Sequence, residues 1–166
     1  MRTSASQRID LDELGFTLVE LSLVIVVIGL LLGFGITAWM SMKTSQQISA
    51  TTTTLKTAAS CLSKYVIHSE QTPAQTYFSK RCVDVDPWGQ DIIYYNNGDN
   101  QEISSATTKT VRDGDGDHPD ALWMIVSSGP NGTIETTSSA TLWDCSLGDD
   151  LCQYTTKNAL VYEINK

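Results

Sequence analysis

One stretch restricts this chain more than any other: GFTLVELSLVIVVIGLLLG, from Gly15 to Gly33. Between Phe16 and Trp39 the strongly polar residues are Thr17, Glu20, Ser22 and Thr37. Leu21 to Trp39 spans 19 residues, and a helix needs about 20 to cross a bilayer. A secretory signal has a shorter apolar region, roughly 7–15 residues, and a small-x-small cleavage site after it. No Ala-x-Ala follows this run. The run therefore predicts a membrane-length helix. A plain anchor leaves Glu20 unexplained, because a carboxylate in hydrocarbon costs about 2.5–3.5 kcal/mol and normally has a partner or a task. Near the end of a span it can instead reach the headgroups, and the residues alone leave both readings open.

Gly15, then Phe16, then Glu20 at the head of an unbroken apolar run resembles the processing site of type IV pilins and of type II secretion pseudopilins. The resemblance implies that a prepilin peptidase cuts between Gly15 and Phe16 on the cytoplasmic side, and that the new amine of Phe16 is methylated. It implies that residues 1–15 are a cytoplasmic leader. It also implies that the helix sits first in the inner membrane as a single pass, with the rest of the chain in the periplasm, and then packs into a filament core. Glu20 of one subunit would pair with the Phe16 amine of its neighbour, so that two charges costly alone become tolerable together and set the axial register. Family leaders are usually basic just before the glycine. Here Arg2 and Arg8 are outnumbered by Asp10, Asp12 and Glu13, a net of −1, and removing it from a chain of −8 leaves −7. Many members carry a proline about twenty residues into the helix; here Gly29, Gly33 and Gly35 occupy that zone, and glycine weakens a helix by up to about 1 kcal/mol each.

Beyond Trp39 the helix is expected to continue over 40–70. Ile48, Leu55, Ala59, Leu62 and Val66 form one apolar stripe at helical spacing, and no proline occurs before Pro73. Thr51 to Thr54 lower helix propensity. A helix from Phe16 to His68 would measure roughly 80 Å at 1.5 Å per residue. Residues 71–166 then read as a globular, β-rich extracytoplasmic domain. Asp91–Tyr95 reads as a strand ending at the turn Asn96-Asn97-Gly98, Ala121–Val126 as a second and Leu160–Ile164 as a third. Ser104–Thr110 and Thr136–Thr141 read as loops. The expected fold class is α+β, a long N-terminal helix packed on a small antiparallel sheet, as in pilins. Asp86-Pro87-Trp88-Gly89 before the first strand and Ser127-Ser128-Gly129-Pro130-Asn131-Gly132 after the second resemble two segments of major pseudopilins. Trp88 is expected to plug the end of the helix–sheet core.

Four cysteines follow the apolar run, Cys61, Cys82, Cys145 and Cys152. An even number outside the cytoplasm predicts two disulfides. The separations favour Cys61–Cys82 and Cys145–Cys152 among three pairings. Asp113-Gly114-Asp115-Gly116-Asp117-His118-Pro119-Asp120 alternates carboxylates with glycines, the kind of oxygen-rich loop calcium uses. It is not an EF-hand, since the twelfth position from Asp113 is Met124. Asp113, Asp115, Asp117 and Asp120 are thus candidate calcium ligands, against the alternative of a solvated acidic loop. Major pseudopilins bind calcium in a loop after the second strand, which corresponds here to residues between Asn131 and Asp150. Asp144, Asp149 and Asp150 are the aspartates there, but no ligand pattern is recognisable.

A net charge of −8 offers no basic patch to displace counterions from phosphates and argues against nucleic acid. Gly-x-Ser-x-Gly and His-Glu-x-x-His are absent, and a non-enzymatic role is expected. The resemblance implies a structural subunit that polymerises with itself and with other pseudopilins at an inner-membrane assembly platform. The alternatives are a type IV pilin of a surface fibre and an anchored binding protein that does not polymerise.

Overall fold

A computed structural model of the chain describes residues 17–164; the expected leader 1–15 and Phe16 lie outside the described residues. The first element, α1, runs from Leu18 to Ser69, 52 residues, without interruption at Gly29, Gly33 or Gly35. Chain contacts divide the protein into two units at the Ser41/Met42 boundary. In the first unit every described residue, Thr17 to Ser41, is exposed. In the second, α1 buries Thr51, Leu55, Ala58, Ala59, Leu62 and Val66. That is the expected stripe, with one correction: Ile48 is exposed, because burial on α1 begins a turn later, at Thr51. The threonines stay helical because each hydroxyl finds an acceptor inside the helix. Thr51, Thr52, Thr53 and Thr54 donate to the carbonyls of Gln47, Ile48, Ser49 and Ala50 at 2.8–3.1 Å.

After α1 come α2 (Gln75–Arg81), β1 (Ile93–Asn96), β2 (Lys109–Asp113), β3 (Gly116–Ser127), β4 (Thr137–Ser138), β5 (Leu142–Asp144), β6 (Leu151–Thr156) and α3 (Lys157–Ile164). The protein is α+β, with a long N-terminal helix and a sheet in the order β1-β3-β2-β5-β4, with β6 also paired to β3. β3 pairs antiparallel with β1 (Tyr94 opposite Ile125), β2 (Arg112 opposite Asp117) and β6 (Ile125 opposite Gln153). The sheet is mixed rather than purely antiparallel. β5 returns alongside β2 in parallel, Val111 opposite Trp143.

A register shift lies between Ala121 and Trp123. Past it, the two faces of β3 serve two cores. Trp123 and Ile125 pack with Leu55, Leu62 and Val66 of α1, Phe78 of α2 and Leu160 of α3. Met124 and Val126 pack with Val111, Trp143 and Cys145 on the other side. The expected plug, Trp88, is only half-buried; the fully buried tryptophans are Trp123 and Trp143. Both disulfides take the favoured pairing. Cys61–Cys82 ties α1 to the end of α2, and Cys145–Cys152 ties the end of β5 to β6.

Four further expectations need correction. Leu160–Ile164 is not a strand but part of α3. Its β-branched residues suggest a strand, yet Leu160 packs into the first core with Ile164, one helical turn on, against it, and the Thr156 hydroxyl accepts the Ala159 N–H at 3.4 Å, an N-cap. Lys109 and Thr110 of the expected loop Ser104–Thr110 open β2, and Thr137–Ser138 of the expected loop Thr136–Thr141 form β4. Residues 75–81, within the expected β-rich domain, form the helix α2.

Leu62 is fully buried against the sheet. Leu62→Ala is expected to destabilise the domain by about 2–5 kcal/mol through lost transfer energy and the cavity left behind. Ile48→Ala, on the same helix but outside the core, is expected to stay within about 0.5 kcal/mol. Chemical unfolding of the two variants checks both values.

Candidate functional site

In the N-terminal unit the residue of interest is Glu20. Gly15 and Phe16 lie outside the described residues. Glu20 is the third residue of α1, and its N–H donates to the Thr17 hydroxyl at 3.3 Å. Thr17-x-x-Glu20 is the spacing of a capping box, a local reason for this pair that the apolar run concealed. A carboxylate in the first turn also suits the positive end of the helix dipole. The other polar groups of the run are settled locally: Ser22 donates to the Val19 carbonyl at 2.7 Å and Thr37 to the Phe34 carbonyl at 3.0 Å. Among the described residues no basic side chain forms an ion pair with Glu20.

In the second unit the four aspartates of the Asp-Gly repeat serve a hairpin. Asp113 pairs with Gly116, so Gly114 and Asp115 are the two loop residues between β2 and β3. Asp113 Oδ1 accepts the N–H groups of Asp115 at 2.9 Å and Gly116 at 3.2 Å, an Asx turn. His118 Nε2 lies 3.0 Å from the same oxygen. Asp117 takes a forked contact from Arg112, at 2.7 and 3.2 Å. The guanidinium lowers the Asp117 pKa, first through the hydrogen bond and then through its charge. Asp120 accepts from the Thr108 hydroxyl at 3.4 Å. Among the described residues no three of these carboxylates bring their oxygens within 4.8 Å of one another, and none of them belongs to the cluster described next.

Among the described residues, one group of carboxylates brings its oxygens within 4.8 Å of one another: Glu135, Asp149 and Asp150. Its scaffold starts at the two motifs flanking β1 and β3. Asp86 is buried. Its Oδ1 accepts the N–H of Trp88 at 3.0 Å and of Gln90 at 2.9 Å, and its Oδ2 accepts the Ser127 hydroxyl at 2.6 Å. The Gly129 N–H donates back to Ser127 Oγ at 3.3 Å. The Asp-Pro-Trp-Gly turn thereby fixes the start of the loop after β3. Gly129 has φ 63°, and the Asp149 backbone carbonyl occupies the space a Cβ would need. The loop is then closed through carboxylates. Asp149 Oδ2 accepts the Asn131 N–H at 3.2 Å, and Asp150 Oδ2 accepts the N–H groups of Glu135 at 2.8 Å and Thr136 at 2.6 Å. Glu135 Oε2 accepts the Asp149 N–H at 3.1 Å, and Oε1 accepts from the Asn131 amide at 3.2 Å.

Two oxygens of the cluster are left over. Among the described residues, Asp149 Oδ1 and Asp150 Oδ1 are buried and find no hydrogen-bond partner. Among the described residues no Lys, Arg or His forms an ion pair with any of the three carboxylates. Buried oxygens without donors are costly, and close like charges add repulsion. A hard cation with oxygen ligands would relieve both penalties, and a set of carboxylate oxygens is the donor type calcium takes. The negative field is felt nearby: burial, and then the charge of Asp150, raise the Tyr95 phenol. In the sequence Asp149 and Asp150 stand out only as aspartates between Asn131 and Asp150, beside Asp144, and Glu135 is not singled out. The available signal was a lone glutamate just after the Gly-Pro-Asn-Gly turn, set opposite an Asp-Asp pair inside a cysteine-closed loop.

No protein-family model, curated protein or solved structure matches the chain.

Gly148 has φ 69°, and a Cβ there would fall on the Glu135 carboxylate. Gly148→Ala is expected to cost about 1–3 kcal/mol and to displace Glu135. A lower thermal midpoint with unchanged far-UV circular dichroism is the outcome to look for.

Proposed function

We propose that the chain is a structural filament subunit of the type IV pilin class, of the pseudopilin kind that serves type II secretion. One observation carries this reading. The same helix that supplies the domain core from Thr51 onward exposes every side chain from Leu18 to Ser41, and that apolar length holds a single carboxylate, Glu20, with no basic partner among the described residues. Such a surface needs cover. A bilayer supplies it before assembly, and neighbouring helices supply it afterwards. The α-amine of Phe16 on an adjacent subunit is the complement Glu20 calls for. Two disulfides fit a periplasmic domain. The link from Asp86 to Ser127 joins the two segments that resemble major pseudopilins, which favours the pseudopilus over the surface fibre. Prepilin peptidase, other pseudopilins and the inner-membrane platform are the partners that follow.

In native membranes the mature chain should begin at Phe16 and carry one added methyl group, as read by N-terminal sequencing and intact mass. Glu20→Gln should leave the chain in the membrane yet abolish the ladder of crosslinked multimers. A chain still starting at Met1, with multimers unaffected by Glu20→Gln, would instead describe an anchored monomer.

The reading also gives Glu135, Asp149 and Asp150 a calcium ion. When bound, the ion would offset two of the three carboxylate charges and would hold the loop after β3 to the segment before β6. Calcium at a hundredfold excess over its Kd should stabilise the folded domain by about 2.7 kcal/mol. Chelation should lower the thermal midpoint accordingly, and Asp150→Asn should remove most of that response.

A further inference from the structure

The loop that carries Asp149 and Asp150 is also the loop closed by Cys145–Cys152, a sequence separation of 7. Cys145 directly follows β5 and Cys152 lies in β6. These strands are not neighbours: β5 pairs with β2 and β4, and β6 pairs with β3. β5 is weakly held by the sheet. It has three register positions on β2 and two on β4, which is itself two residues long. The disulfide is the covalent strut across that gap. Its sulfurs sit in the second core, with Cys145 buried and Cys152 half-buried beside Val126 and Trp143. The three carboxylates meet because Gly148 and Asp149 lie against Glu135 and Gly129, and that placement depends on where the two ends of the loop are pinned.

We propose that Cys145–Cys152 is a redox control on this cation site. The oxidised chain presents Asp149 and Asp150 to Glu135 already assembled, and the dithiol form must order them at the expense of cation affinity. This rests on the calcium reading above. In the reductive step a dithiol donor passes two electrons and two protons to the Cys145–Cys152 bond. That bond breaks to two thiols while the donor's own sulfurs join as a disulfide. Linkage makes the effect reciprocal: whatever factor the disulfide adds to cation affinity, the cation adds to the equilibrium for disulfide formation.

The test uses the full chain in detergent micelles, with calcium alone as the probe. Calorimetric titration compares the oxidised chain with the Cys145→Ser/Cys152→Ser variant. The expected result is an affinity at least about tenfold weaker in the variant, within the usual range of such couplings. A second measurement needs no variant. The wild-type chain is equilibrated in dithiothreitol buffers of graded redox ratio, with saturating calcium or with chelator. Thiols are alkylated and each cysteine pair is read by mass spectrometry. Calcium should shift the Cys145–Cys152 equilibrium toward the disulfide by the same factor and leave Cys61–Cys82, on the α1–α2 side of the domain, unmoved. Calcium bound equally by both forms, with no shift at Cys145–Cys152, would overturn the redox control and spare the metal site. No calcium uptake by the oxidised wild-type chain would overturn both.

Discussion

The second unit depends on β3 having both of its faces covered. A strand that pairs with β1, β2 and β6 can accept cores on two sides only if its side chains divide cleanly between them. The register shift at Ala121–Trp123 makes that division. It lets Leu122 and Trp123 join the core beneath α1 while Ala121, Met124 and Val126 serve the core beneath the β5 segment. The position of α1 and the position of the acidic site are therefore consequences of one strand. A slip of one residue in its register would send each apolar set to the wrong face.

Much of this is legible in the sequence where a pattern repeats. The apolar run and the stripe through Leu55, Ala59, Leu62 and Val66 announce α1, because helical periodicity over several turns is hard to mimic. Ala121–Val126 reads as a strand because both of its faces are apolar. The rest is hidden for physical reasons. α3 carries a strand-like composition, and only its i, i+4 pair, Leu160 and Ile164, betrays the turn. β2 begins with polar Lys109 and Thr110 because its neighbours, not its own apolar content, hold it. The Asp-Gly repeat reads both as a turn and as a metal loop, because the residues that make an Asx turn are the same types that bind calcium.

The acidic cluster shows the limit most clearly. Asp86 and Ser127 are 41 residues apart, and Glu135 is 14 residues from Asp149. No local pattern joins them. Tertiary structure does so through a relay from the Asp86 turn to Ser127, to Gly129 and to the Asp149 backbone. Each link is short and polar, and it needs a particular residue: a carboxylate to accept three donors, a hydroxyl that both donates and accepts, and a glycine where a side chain would strike a carbonyl. Such sites are specified by packing order rather than by spacing.

The other disulfide has a mechanical consequence. Cys61 lies well before the end of α1, and its bond to Cys82 closes a covalent ring containing the last turns of that helix and all of α2. A tensile load arriving along α1 meets a fork at Cys61. One branch runs on through the helix, and the other passes directly across the sulfur bridge to the chain entering the sheet. The bridge is the shorter and stiffer path, so the enclosed segment can open without lengthening the molecule. Chain slack stored in that ring cannot be paid out under tension while the bond holds.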